Sequence, residues 1–151
     1  FFYCIYLYYM NLRDIIRKNL ILEQEERVTN LSKNITVDFG VFKKGHVNYR
    51  QNRHINDNDR NNPCYGQRIS DFDMVNLIDD SLGFIAEEIL NNNIRNGREF
   101  IVTREGDDYL NVVIIPENTK SNRWNLIIKT VMCEEDFRMG YNQLQILVPT
   151  L

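Results

Sequence analysis

Ser70-Asp71-Phe72-Asp73-Met74-Val75-Asn76-Leu77-Ile78-Asp79-Asp80-Ser81-Leu82-Gly83-Phe84-Ile85-Ala86-Glu87-Glu88-Ile89-Leu90 is the stretch from which the fold is read. Val75, Ile78, Leu82, Ile85, Ala86, Ile89 and Leu90 recur at three- and four-residue steps, the period of an amphipathic helix. Ser70 supplies an N-cap hydroxyl and Asp73 an acid three residues on, close to a capping box. Asn91-Asn92-Asn93 and Asn96-Gly97 follow as C-terminal signals. Gly83 is a candidate break that would split the run into two helices.

Towards the C-terminus the period changes to strands. Glu99–Arg104, Tyr109–Ile115 and Asn125–Met132 are expected as three, with Leu144–Val148 as a fourth candidate. Gly106-Asp107-Asp108 reads as a short hairpin turn, and Pro116 to Arg123 as a polar connector. Turns this short imply antiparallel pairing. Glu134–Tyr141 is a candidate helical turn.

On the N-terminal side, Ile35, Val37, Phe39 and Val41 alternate with polar or small residues, the signature of a half-buried strand. Asn11 to about Leu31 is expected as a helix, with Leu12, Ile15, Ile16 and Leu20 on one side and charges on the other. Phe1–Tyr9 is apolar and far shorter than the roughly 20 residues of a membrane span. It is expected to be translated upstream sequence, with Met10 the native start; a buried N-terminal strand is the alternative. The expected architecture is therefore α+β. An N-terminal helix (10–34) precedes a single domain (35–151) in which a helical segment packs on a three- or four-stranded antiparallel meander.

Composition gives few constraints on function. The net charge is −3, from 18 Lys+Arg against 21 Asp+Glu, which argues against nonspecific coating of nucleic acid but not against a local basic site. Three cysteines, Cys4, Cys64 and Cys133, are widely spaced without a Cys-x-x-Cys pair. They are expected as reduced, incidental thiols of a cytoplasmic protein.

Lys43 to Arg68 breaks all periodicity and carries Lys43, Lys44, His46, Arg50, Arg53, His54, Arg60 and Arg68, with Tyr49 and Tyr65 among them. Both histidines of the chain lie here. Metal-independent RNA cleavage needs a base for the 2′-hydroxyl, an acid for the leaving oxygen and cations for the phosphorane charge. His and Arg supply these functions. His54-Ile55-Asn56-Asp57-Asn58-Asp59 also places one imidazole near two carboxylates, but it lacks calcium-loop spacing and a second His, so no metal is expected. Simple alternation would put Thr130 on the face of Leu126 and Ile128, with Lys129 on the other.

This order of features resembles the barnase–EndoU–colicin–RelE superfamily of small nucleases, especially its phage-associated and toxin-like branches. The matching residues are His54, Arg60 and Arg68-Ile69-Ser70-Asp71 ahead of the helix, then Leu110-Asn111-Val112-Val113-Ile114 and Ile127-Ile128-Lys129-Thr130-Val131. The stretched His-to-Arg spacing leaves open whether His46 or His54 is the matching histidine. The resemblance implies a metal-independent endoribonuclease without cofactor. In it, His54 or His46 acts as base or acid, Arg60 and Arg68 hold the phosphate and Thr130 positions it; Arg50 and Arg53 of the basic loop, and Lys129, are further candidates for phosphate contact. The expected partner is RNA, with a protein inhibitor or phage protein reached through the N-terminal helix as a further expectation, in the cytoplasm of a host. The alternative expectation is a non-catalytic phage or mobile-element accessory protein.

Overall fold

The structure, a computed structural model, describes residues 23–30, 35–106, 109–140 and 142–149. Two strands open it, β1 (Glu23–Asn30) and β2 (Ile35–Lys43), followed by a short helix α1 (Val47–Gln51) and the long helix α2 (Asp71–Leu90). Four strands close it: β3 (Phe100–Arg104), β4 (Leu110–Lys120), β5 (Arg123–Cys133) and β6 (Gln145–Val148). They form one six-stranded sheet in the order β1-β2-β5-β4-β3-β6. The fold is α+β, as expected, and β3, β4 and β5 are the expected antiparallel meander.

The helix reading holds in detail. Ser70 caps α2 by accepting from the Asp73 amide at 3.0 Å, and the helix runs without a break through Gly83. Val75, Ile78, Leu82, Ile85 and Ala86 are buried, joined by Met74 and Leu77. The stripe packs on Val37, Phe39 and Val41 of β2, Leu126 and Ile128 of β5, Val112 and Ile114 of β4, and Phe100 and Val102 of β3. Asn92 and Gly97 take positive φ angles of 61° and 77° after the helix, where the Asn/Gly run signals its end.

Several expectations are corrected. The helix expected over Asn11–Leu31 fails where it is described: Glu23–Asn30 is strand β1, paired antiparallel with β2 from Glu23↔Phe42 to Asn30↔Ile35. Its charges suit a helix surface, but pairing satisfies the backbone along an edge of β2, and tertiary context overrides local propensity. A partner contact through an N-terminal helix therefore cannot use these residues as helix. The readings of Phe1–Tyr9, the Met10 start and the rest of that helix lie outside the described residues. The sheet is mixed, since β2 runs parallel to β5 and β6 parallel to β3. Alternation identifies a strand but not its neighbour, so these pairings left no sequence signal. Pro116–Lys120, expected as connector, extends β4, and the reversal needs only Ser121 and Asn122. Glu134–Tyr141 contains no helix among its described residues.

The face of the sheet away from α2 carries a polar network. Gln145 donates to the Thr103 hydroxyl at 2.7 Å, and that hydroxyl donates to Asn111 Oδ1 at 2.8 Å. Asn111 in turn donates to the carbonyls of Tyr109 and Glu134, both at 3.1 Å. This satisfies an amide that is fully buried, which the low-dielectric interior requires.

A second polar cluster joins β2 to α2. Alternation puts Lys43 on the face of Val37, Phe39 and Val41, so its stem follows the core and its side chain is only 4% exposed. It meets Asp71 Oδ1 at 2.8 Å, Asn48 Oδ1 at 2.9 Å and Gln51 Oε1 at 3.2 Å. Gln51, fully buried on α1, donates to Asp71 Oδ1 at 2.6 Å and to the Ile69 carbonyl at 2.8 Å. Burial raises the Asp71 pKa, but the bonds from Lys43 and Gln51 outweigh it and hold the carboxyl below its ordinary value.

Breaking a buried pair from one side leaves an uncompensated charge. Lys43→Met and Asp71→Asn are each expected to lose on the order of 3 kcal/mol in urea unfolding near pH 7. A Lys43→Met/Asp71→Leu double variant is expected to recover part of that loss. Because the folded pKa of Asp71 is depressed, its contribution is full above the unfolded value of about 4 and is lost as pH falls through the folded one. The gap between wild type and Asp71→Asn is therefore expected to shrink below about pH 4.

Candidate functional site: a pinned basic loop

The aperiodic stretch between α1 and α2 is compact. At its base the Ile69 amide donates to the Gln51 carbonyl at 2.9 Å, and further out the Gly66 amide donates to the His54 carbonyl at 2.8 Å. Gly66 has φ 70°, a conformation that a side chain would strain. Asx contacts shape the tip, with Asp57 accepting from the Asp59 amide, Asp59 from Asn61, and Asn62 from Cys64. Two clamps fix the loop to the end of β5: Asn62 donates to the Cys133 carbonyl at 3.2 Å, and Cys64 and Cys133 form a disulfide. The expectation of incidental free thiols is thereby corrected for Cys64 and Cys133. Their separation of 69 residues hid the pairing, because linear spacing does not report spatial proximity.

His54 sits in this loop at 9% exposure. Its Nδ1 donates to Asp57 Oδ2 at 2.7 Å, three residues on. That hydrogen bond is the main reason the Asp57 pKa lies below its ordinary value, so the carboxylate stays ionised and fixes the proton on Nδ1. Among the described residues His54 Nε2 has no hydrogen-bond partner, so in the neutral imidazole its lone pair is available as a base. Arg50 and Arg53, four residues and one residue before His54, are exposed, as is Arg60 at the tip.

His46 is used differently. It is the N-cap residue just before α1 and donates from Nε2 to the Lys129 carbonyl at 2.7 Å, one residue past the end of the β2–β5 ladder at Lys43↔Ile128. Lys129 pairs through its ammonium with Glu99. Between Val113↔Thr130 and Ile114↔Ile128 the ladder shifts register, leaving Lys129 as the extra residue of a β-bulge. The inward phase therefore runs Leu126, Ile128, Val131, Cys133. Thr130 lies on the face away from α2, not with Leu126 and Ile128 as simple alternation implied.

The predicted residues thus separate. His54 is held by Asp57, His46 and Lys129 serve the bulge, and Thr130 faces away from the loop-bearing side. Arg68 lines a cleft of about 400 Å³ with Cys64, Gln67, Asp73, Asn76, Arg104, Tyr109 and Cys133, and none of His54, Arg60 or Thr130 does. The expected convergence of His54, Arg60, Arg68 and Thr130 on one site is not what the fold builds. Sequence reasoning undervalued Asp57 by weighing it only as a metal ligand, although the i,i+3 spacing to His54 was visible. It missed Arg104 and Tyr109, which reach the cleft from β3 and the start of β4.

Compared with protein-family models, curated proteins and solved structures, the chain has no match in any of the three. Among the described residues no helix is long and apolar enough to cross a membrane.

Removal of the disulfide restores conformational freedom to the unfolded chain across the 69-residue separation. Chain-entropy arguments put that contribution at about 4 kcal/mol as an upper figure. Reduction, or the Cys64→Ser/Cys133→Ser double variant, is expected to lower the urea midpoint by roughly 2–4 kcal/mol in equivalent stability. An unchanged midpoint would show that Asn62 and the Gln51–Ile69 contact hold the loop alone.

Proposed function

We propose that the chain acts on RNA as a metal-independent endoribonuclease-like domain, with His54 as the proton-accepting group. The observation that carries this reading is the His54–Asp57 pair, whose Nδ1···Oδ2 distance is 2.7 Å. A carboxylate that holds Nδ1–H orients the ring and stabilises the imidazolium formed when Nε2 takes a proton. In RNA transesterification that proton comes from a 2′-hydroxyl, whose oxygen then attacks the adjacent phosphorus. The 5′-oxygen leaves and takes a proton from water, His54 gives its proton back to solvent, and the upstream product ends in a 2′,3′-cyclic phosphate. Exposed Arg50, Arg53 and Arg60 provide guanidiniums near His54 in sequence for the phosphate oxygens. Thr130 and Lys129 drop out of this version of the site, since both lie on the face opposite Leu126 and Ile128. His46 drops out because its Nε2 is held by the Lys129 carbonyl. The cytoplasm, where RNA is abundant, stays as the proposed compartment, and there the Cys64–Cys133 bond would face a reducing thiol pool.

The test is cleavage of an end-labelled RNA with EDTA present. Wild type is expected to cleave and leave cyclic-phosphate ends. His54→Ala is expected to lose about a hundredfold or more, the usual contribution of a positioned base. Asp57→Asn is expected to lower the rate in the same direction while binding of uncleaved RNA is retained. Cleavage abolished by EDTA would overturn the metal-independent mechanism. Activity indifferent to His54→Ala, or no cleavage of any RNA, would overturn the assignment.

A further inference from the structure

The Cys64–Cys133 disulfide does more than clamp a loop, because it forms part of the wall of the cleft. Both cysteines line it. Cys64 is half-buried, whereas Cys133, the last residue of β5, is buried at 5% exposure. Of the two sulfurs, that of Cys64 is therefore the one an incoming reagent meets first. The lining residues carry two guanidiniums, Arg68 and Arg104, against one carboxylate, Asp73. Arg104 shares its charge with Asp80 at 2.8 Å. Arg68 is exposed and makes no hydrogen bond among the described residues. Gln67, Asn76 and Tyr109 add polar groups around the same space. The Arg68 charge also acts on the Asp71 carboxylate, without a hydrogen bond between them. A cleft that combines a disulfide in its wall, an exposed guanidinium and amide side chains matches one class of small molecule, a thiol that also carries carboxylate or sulfonate groups.

We propose that this cleft is a thiol-exchange site at which a small anionic thiol attacks Cys64. The thiolate RS⁻ forms a bond to Cys64 Sγ, and the bond between the two sulfurs breaks. Cys133 leaves as a thiolate, which is then protonated from solvent. The product is a mixed disulfide, Cys64–S–S–R. No net oxidant is needed, because the thiol is both nucleophile and reductant. A second thiol attacking the R sulfur completes the reduction and frees the loop from β5, leaving Asn62 as its remaining clamp there. Arg68 acts by attracting and orienting the anionic part of the thiol, so it is a positioning residue. This inference does not depend on RNA chemistry: the His54–Asp57 pair takes no part in the exchange.

The test uses the full oxidised chain with three thiols: glutathione, 2-mercaptoethanesulfonate and the cationic cysteamine. Exchange is quenched with iodoacetamide, which traps Cys133, and the attached thiol is located by peptide mapping. Rates are compared per thiolate and corrected for the Brønsted dependence of thiolate nucleophilicity on thiol pKa, with a neutral alkyl disulfide as the reference reaction. The anionic thiols are expected to react faster than cysteamine by about fivefold or more at low salt, given two charges of opposite effect within a few ångströms. Salt at about 0.5 M is expected to bring the ratio towards one. Arg68→Gln is expected to do the same at low salt without changing the cysteamine rate by more than about twofold. The mapped adduct is expected on Cys64. An adduct on Cys133, an anionic preference absent in wild type, or a preference unchanged in Arg68→Gln would each overturn the proposal. Far-ultraviolet circular dichroism of Arg68→Gln checks that the variant is folded. If it is not, Arg68→Lys, which keeps the charge, is expected to retain the anionic preference, and its loss would count against the proposal.

Discussion

The contact on which the arrangement depends is the buried Lys43–Asp71 pair with Gln51 bridging it. It joins the last residue of β2 to the first turn of α2 and holds α1 between them. Without it the sheet would still have a helix to pack against, but the chain between β2 and α2 would lack a fixed origin. The pair costs desolvation free energy, as buried charges do. Its offset is geometric completeness, since Lys43 has three side-chain acceptors and Asp71 accepts from two donors. From this point Ile69 and Gln51 close the neck of the loop, and everything at its tip inherits that position.

A second constraint is the single extra residue in β5. One inserted residue reverses the faces of everything beyond it on the strand. Upstream of Lys129 the inward residues are Trp124, Leu126 and Ile128; downstream they are Val131 and Cys133. The shift therefore has two consequences at once. It brings Cys133 to the side where the loop can be clamped, and it sends Thr130 to the other. His46 takes the carbonyl of the bulged residue, which ties α1 to the irregularity.

These features explain what could be read from the sequence and what could not. The helix over Asp71–Leu90 was legible because its cap, its 3.6 period and its terminating Asn/Gly run agree. Strand β2 and the meander were legible from alternation. Strand β1 was not, because Glu23–Arg27 is locally compatible with a helix and only the edge of β2 makes it a strand. Nor were the parallel pairings and the disulfide, which depend on which segments meet. In the candidate site the sequence could name residues but not which of them the fold groups together. A bulge has no composition signature in Ile127-Ile128-Lys129-Thr130, so simple counting placed Thr130 on the wrong face. The His54–Asp57 spacing, by contrast, was available to be read.

What emerges is a loop that is a built platform, pinned at its neck, its middle and its tip, and carrying both an imidazole held by Asp57 and the Cys64–Cys133 bond. Native-state hydrogen exchange at the amides of Ile69 and Gly66 tests that claim most directly, because each donates one of the pinning bonds. The account predicts protection at both amides comparable to that of buried positions in α2, falling together when the neck is disrupted by Gln51→Leu. Exchange at rates of an open loop in the wild-type chain would contradict it.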